Sequence, residues 1–213
     1  MTALRQPSEE RLLAYAAGTL SPPESVVVAT HLALRPRAAH WVEGLQAVGG
    51  EVLESIEPAA VADDLLARTL ARLSAPSDEG PATPEPANDM TELPEPLRRY
   101  ELGPWRWIGP DMRVRDVLAP RDGDCRVILL SIGAGRTTPV HTHQGVELTC
   151  VLSGAYETDE GVFGPGDFEE ADGEVHHRPR TVSPEPCLCV VALDGQIRLD
   201  GWLGRLLQPF VRL

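Results

Sequence analysis

The chain has 213 residues, 42% of them hydrophobic and 24% charged, a balance that fits one large or two small globular cores. Its formal charge is −13 and all 19 basic residues are arginine, so a phosphate backbone would be repelled and direct DNA or RNA binding is not expected. Met1 to Glu10 carries no apolar h-region, and no stretch nears roughly 18 uninterrupted apolar residues, so neither a signal peptide nor a membrane span is expected.

The first 74 residues are rich in alanine and leucine at helical spacing. Ser8 is placed to cap a helix whose apolar positions Leu12, Leu13, Ala16 and Ala17 recur at three and four, and Gly18 supplies a stop. Ser21-Pro22-Pro23-Glu24 reads as an N-cap with prolines in the first turn and a glutamate at the third helical position. That helix runs through Val26, Val27, Val28, His31 and Leu32 until Pro36 limits it. A third is expected over Ala38 to Ile56, weakened by Gly49-Gly50. A fourth, over Val61 to Leu73, places Leu65, Leu66, Thr69, Leu70 and Leu73 on one face. Four short helices enclose a small core, so a metal, a partner or both are expected to complete its stability.

Residues 75–96 hold six prolines, six acidic residues and no basic one. Such a stretch is expected to be a stiff acidic linker that buries nothing. From Leu97 to the end at 213 the pattern becomes strand-like. Cys125 to Ile132, Val146 to Leu152 and Cys187 to Leu193 are short β-rich runs, separated by turns such as Ser153-Gly154 and Gly164-Pro165-Gly166-Asp167. The expected fold class is therefore α+β in two domains, a small helical bundle at 1–74 and an all-β sandwich or barrel at 97–213. Cys125, Cys150, Cys187 and Cys189 lie in the apolar runs, the setting of buried free thiols in a reducing compartment, and a cytoplasmic location is expected.

The chemistry concentrates in the second domain. His141, His143 and Glu147 share one parity along an extended strand, so their side chains converge on one face. Imidazoles and a carboxylate suit zinc, iron, manganese, nickel or copper. The turn before Asp167 starts a further strand that leads to His176-His177, of which one can face inward, because neighbours on a strand point opposite ways. Cys187 and Cys189 share a face, which fits core thiols or a redox pair, while Cys150 has the parity opposite to Glu147 and is expected to point away from it. Arg136, Arg178 and Arg180 are expected to be solvated.

Gly135-x5-His141-x-His143-x3-Glu147-x6-Gly154 resembles the first cupin motif at every position, and Phe163-Gly164-Pro165-Gly166-Asp167 with His177 resembles a loose form of the second. The resemblance implies a jelly-roll cupin barrel over 97–213 and a ligand set of His141, His143, Glu147 and His177. The absent asparagine of the strict second motif argues against a sugar isomerase or storage protein. Leu13-Ala14-Tyr15-Ala16-Ala17-Gly18-Thr19-Leu20-Ser21 and Val28-Ala29-Thr30-His31-Leu32, with Leu207-Gln208-Pro209-Phe210 near the end, resemble ChrR-type anti-sigma factors. In that family a zinc-binding helical domain precedes a cupin, and an extracytoplasmic-function sigma factor is held inactive until singlet oxygen or related stress releases it. The resemblance implies one divalent metal in the cupin, with zinc favoured over manganese, iron or nickel.

One departure is plain. The family's helical zinc site uses His-x3-Cys-x2-Cys and an earlier histidine, whereas this chain keeps His31 but has Arg35, Ala38 and, near the early position, Gln6. No zinc is expected there, and His31 is expected to serve helix packing or to lie at the surface, like His40. The expected function is sigma-factor sequestration by the helical domain, relieved through a metal-binding sensory cupin. The alternative is a metal-dependent cupin enzyme such as a dioxygenase. No general base beyond the ligands is evident near the motif.

Overall fold

The computed structural model describes residues 5–74 and 88–199. The C-terminal motif at 207–210, the first part of the acidic stretch and the end of the expected second domain lie outside the described residues.

Four helices open the chain: α1 (Glu9–Ala16), α2 (Pro22–Leu34), α3 (Pro36–Glu54) and α4 (Leu65–Ser74). Ser21 and Glu24 form the expected capping box at α2, satisfying two backbone N–H groups reciprocally. Gly18 takes φ +70°, the left-handed turn that ends α1. Ser8 precedes α1 as expected, but its side chain makes no cap. Its backbone N–H and hydroxyl both reach the Glu170 carboxylate instead, at 2.8 and 3.3 Å. α4 starts four residues later than expected, at Leu65, and none of its residues is buried.

The short α5 (Glu95–Arg98) corrects the reading of 75–96 as a stretch that buries nothing. Leu93, Pro96 and Leu97 are buried, and the Asn88 amide donates to the carbonyls of Leu97, Arg98 and Tyr100. A side-chain amide thus satisfies backbone acceptors that a polar linker would leave to water.

The strands are β1 (Arg106–Gly109), β2 (Met112–Asp122), β3 (Cys125–Ile132), β4 (His141–His143), β5 (Glu147–Ser153), β6 (Tyr156–Thr158), β7 (Gly161–Phe163), β8 (Phe168–Ala171), β9 (Arg180–Thr181), β10 (Cys187–Leu193) and β11 (Ile197–Leu199). They form an antiparallel six-stranded sheet, β1-β2-β3-β10-β5-β8, with smaller sheets β7-β6-β9 and β11-β4.

Strand alternation sorts the core in two. One face of the large sheet (Val117, Val127, Leu129, Leu148, Cys150, Phe168, Val190, Ala192) packs with Leu12, Val26, Val27 and Val28 of the helices. The other (Val114, Ile128, Val151, Cys187, Cys189, Val191, Leu193) meets Tyr156 and Phe163 of the small sheet and forms the barrel interior. α2 is buried along Val26, Val27, Val28, Thr30 and His31 because it lies between the other helices and the sheet. The helices and barrel therefore share one apolar core, which relieves the size limit of four helices alone.

Candidate metal centre

His141 and His177 face each other across a narrow antiparallel bridge in which each backbone N–H donates to the other's carbonyl at 3.2 Å. His143, two residues along β4, projects from the same face. His141, His143 and His177 are buried, and their nitrogens gather within 4.8 Å of one another. His177 Nε2 lies 3.1 Å from His141 Nε2 and 3.2 Å from His143 Nε2. Nitrogens about 2.0–2.1 Å from one tetrahedral ion stand about 3.3 Å apart, so the spacing fits a shared cation. His141 Nδ1–H donates to the Pro139 carbonyl at 2.8 Å, which leaves the Nε2 lone pair turned to the group. His176 is exposed where His177 is buried, which resolves the adjacent pair.

Glu147 stands beside this trio rather than at its convergence point. Its Oε2 is 3.3 Å from His143 Nδ1, the nitrogen on the far side of that ring. A second carboxylate that sequence reasoning missed lies opposite. Glu169 Oε1 is 3.5 Å from His177 Nδ1, and its Oε2 accepts a 2.6 Å hydrogen bond from the buried Tyr156 hydroxyl. His143 Nδ1 and His177 Nδ1 remain off the line that a hydrogen bond needs.

Electrostatics favour a cation in the same place. Burial lowers the pKa of His141, and burial followed by the neighbouring His177 lowers that of His143 to about 4. Burial also opposes a proton on His177, but Glu169 and Glu147 outweigh it and the pKa is raised. Burial raises the Glu147 carboxyl, and burial with Glu169 alongside raises the Tyr156 phenol well above its ordinary value. Two carboxylates, the half-buried Glu147 and the buried Glu169, face a single imidazole that favours its proton, and a divalent ion in that proton's place would balance both. The donor set and spacing therefore fit a metal. A cavity of about 120 Å³ opens beside His141, walled by Ile108, Met112, Leu130 and Ile197, with Tyr156 and Glu169 also in its lining.

The cysteines and outer histidines have other surroundings. Cys150 faces the helices, as its parity requires. Cys187 and Cys189 face the interior with sulfurs 3.7 Å apart. His31 is buried, donates from Nδ1 to the Gly166 carbonyl at 2.8 Å and packs edge-on against Phe168. Arg35 donates to the Pro165 carbonyl at 2.8 Å and to Asp167 at 2.7 Å. His31 and Arg35 thus fasten α2 to the barrel. His40 is exposed beside Glu43, Arg136 pairs with Asp111, and Arg180 pairs with Glu157.

The ChrR cupin-like domain model matches residues 99–196. The anti-sigma-E factor ChrR of Cereibacter sphaeroides is 39% identical over 219 aligned residues that cover 100% of both chains. The chain belongs to the ChrR family of anti-sigma factors. The crystal structure of Rhodobacter sphaeroides SigE in complex with the anti-sigma factor ChrR is 35% identical, with a TM-score of 0.74 over 89% of this chain and 98% of that one. Helices followed by a cupin-like barrel are thus the ChrR arrangement, and the metal-fitting histidines fall within the matched cupin segment.

Proposed function

We propose that the chain sequesters an extracytoplasmic-function sigma factor in the cytoplasm and releases it under oxidative stress of the singlet-oxygen type, sensed through the cupin centre. The observation that carries sequestration is an uncovered apolar surface on α3 and α4. Val48, Val52, Leu53, Leu65, Leu66, Leu70 and Leu73 are all exposed, a density that soluble surfaces rarely leave without a partner. The membership in the ChrR family supports a sigma factor as that partner, since its relative was crystallised with SigE. The net charge of −13 complements a partner whose own task is to bind DNA.

In this reading His141, His143 and His177 hold one divalent ion, zinc by preference, and Glu147 turns from His143 to complete the shell. When bound, zinc would supply a redox-inert positive charge that offsets the buried carboxylates. His141 is kept in its ligand tautomer by Pro139, and Glu169 backs His177. The test is a titration of the full chain with its cognate extracytoplasmic-function sigma factor, read by calorimetry and by transcription from a promoter of that factor. A stoichiometric complex that silences transcription is expected, and no complex at micromolar concentrations would reject the proposal.

The cavity beside His141 favours a second reading, a metal-dependent enzyme such as a dioxygenase, because Glu169 provides the extra carboxylate absent from the sequence motif. Iron-dependent oxygen uptake stimulated by a small organic molecule would select it.

A further inference from the structure

We propose that β8 and the turn before it are the mechanical link through which the state of the three-histidine centre reaches helices α1 and α2. The strand has two working faces. Glu169 points inward to His177 and Tyr156. Its neighbours point outward, where Phe168 packs edge-on against His31 and Glu170 accepts from Ser8 and pairs with Arg11 at 3.3 Å. One peptide unit therefore separates a group at the centre from groups on the helices, and strand alternation forces them to opposite sides.

The turn adds to the seam. His31 bonds the Gly166 carbonyl, and Arg35 bonds the Pro165 carbonyl and Asp167. Gly166 has φ +82°, and a Cβ there would stand 2.6 Å from Arg35 Nε, so glycine is what admits the arginine. Among the described residues β8 is an edge strand, paired within the sheet to β5 alone, over Phe168 to Ala171. Its outer edge is met by the N-terminal segment, where the Phe168 N–H donates to the Arg5 carbonyl at 3.0 Å. A strand held by a sheet partner on one side and by a non-strand segment on the other shifts at lower cost than a central strand. Loss of the ion frees His177, Glu169 keeps Tyr156 but loses its other fixed partner, and the displacement passes to Glu170 and the turn.

The consequence for the sigma factor rests on the proposed sequestration, but the link itself is tested without it. Hydrogen exchange of the full chain is followed in the zinc-loaded state, after chelation, and after zinc is restored. Chelation is expected to speed exchange at least tenfold at residues 166–170 and 5–12, with zinc reversing it. In E169Q both segments exchange fast with or without zinc, and zinc affinity falls at least tenfold. In E170Q, a partly exposed site, zinc affinity stays within twofold of the parent, while segment 5–12 no longer responds to chelation. The proposal is overturned if chelation loosens 141–143 yet leaves 166–170 and 5–12 as before. An E170Q chain whose 5–12 segment still follows zinc would overturn it as well. Should E169Q not fold, the parent and E170Q arms decide alone.

Discussion

The exposed helix face permits a separation that few surfaces offer, because residues assigned to partner binding contribute almost nothing to the fold. Leu66 and Leu73 lie seven positions apart on α4 and retain 70% and 77% exposure. Full burial of a leucine side chain is worth about 1.5–3 kcal/mol, so the exposed share of the two together offers about 2–4 kcal/mol to a partner. The double substitution Leu66→Ala, Leu73→Ala is therefore expected to weaken sigma-factor binding roughly 30- to 1,000-fold. Alanine keeps or improves helix propensity, so unfolding free energy should change by less than about 0.5 kcal/mol. Calorimetric titration against the sigma factor and urea unfolding of the free chain measure the two quantities. Unchanged affinity would refute the assignment of this face. A large loss of stability would show that α4 packs within the chain rather than against a partner.

Other features yield narrower tests. His143 prefers its neutral form in the fold, with a pKa near 4, against about 6.5 unfolded, so the stability it contributes is present above pH 6.5 and is lost as pH falls through 4. In metal-stripped protein, the difference in unfolding free energy between the parent and His143→Gln should shrink by roughly 3 kcal/mol over that interval, and a constant difference would contradict it. Gly154 has φ +72°, and an added Cβ would lie 2.7 Å from the Pro186 carbonyl oxygen and 2.8 Å from Cys187 Cα. Gly154→Ala should therefore cost at least about 2 kcal/mol in denaturant unfolding, and a neutral result would contradict the geometry. All four cysteines are buried, and burial pushes Cys150 up to about 12 and Cys125 to about 11, while the Cys187 contact and burial raise Cys189 well above the ordinary thiol value. A polar thiol reagent at pH 8 should label native protein about a thousandfold more slowly than urea-unfolded protein, whereas rapid native labelling would reveal an open interior.

Period-two alternation made the sheet legible. β3 and β10 coincide with the expected runs, and the opposite parity of Cys150 and Glu147 sent them to different cores. The capping box and the His141–His143 pair were equally local, whereas His177, assigned through the cupin resemblance, joins them from 34 positions beyond His143. Glu169 was not legible, because Phe168-Glu169-Glu170-Ala171 contains two adjacent carboxylates and only the pairing of Thr149 with Glu169 decides which one faces inward. Tyr156 shares that dependence on a distant partner. Composition misled at 88–96, where acidic and proline-rich sequence conceals Leu93 and an Asn88 amide that supports α5. His31 and Arg35 stand at positions where the family resemblance implied zinc ligands, and their bonds to the Gly164–Asp167 turn arise from a contact more than 130 positions away.

Metal content of the purified full chain, measured beside His141→Ala, His143→Ala, tests the centre most directly. About one equivalent of divalent metal is expected in the parent and essentially none in the double variant. Two equivalents in the parent, or one retained after both substitutions, would place the ion elsewhere and contradict a single centre built on the barrel histidines.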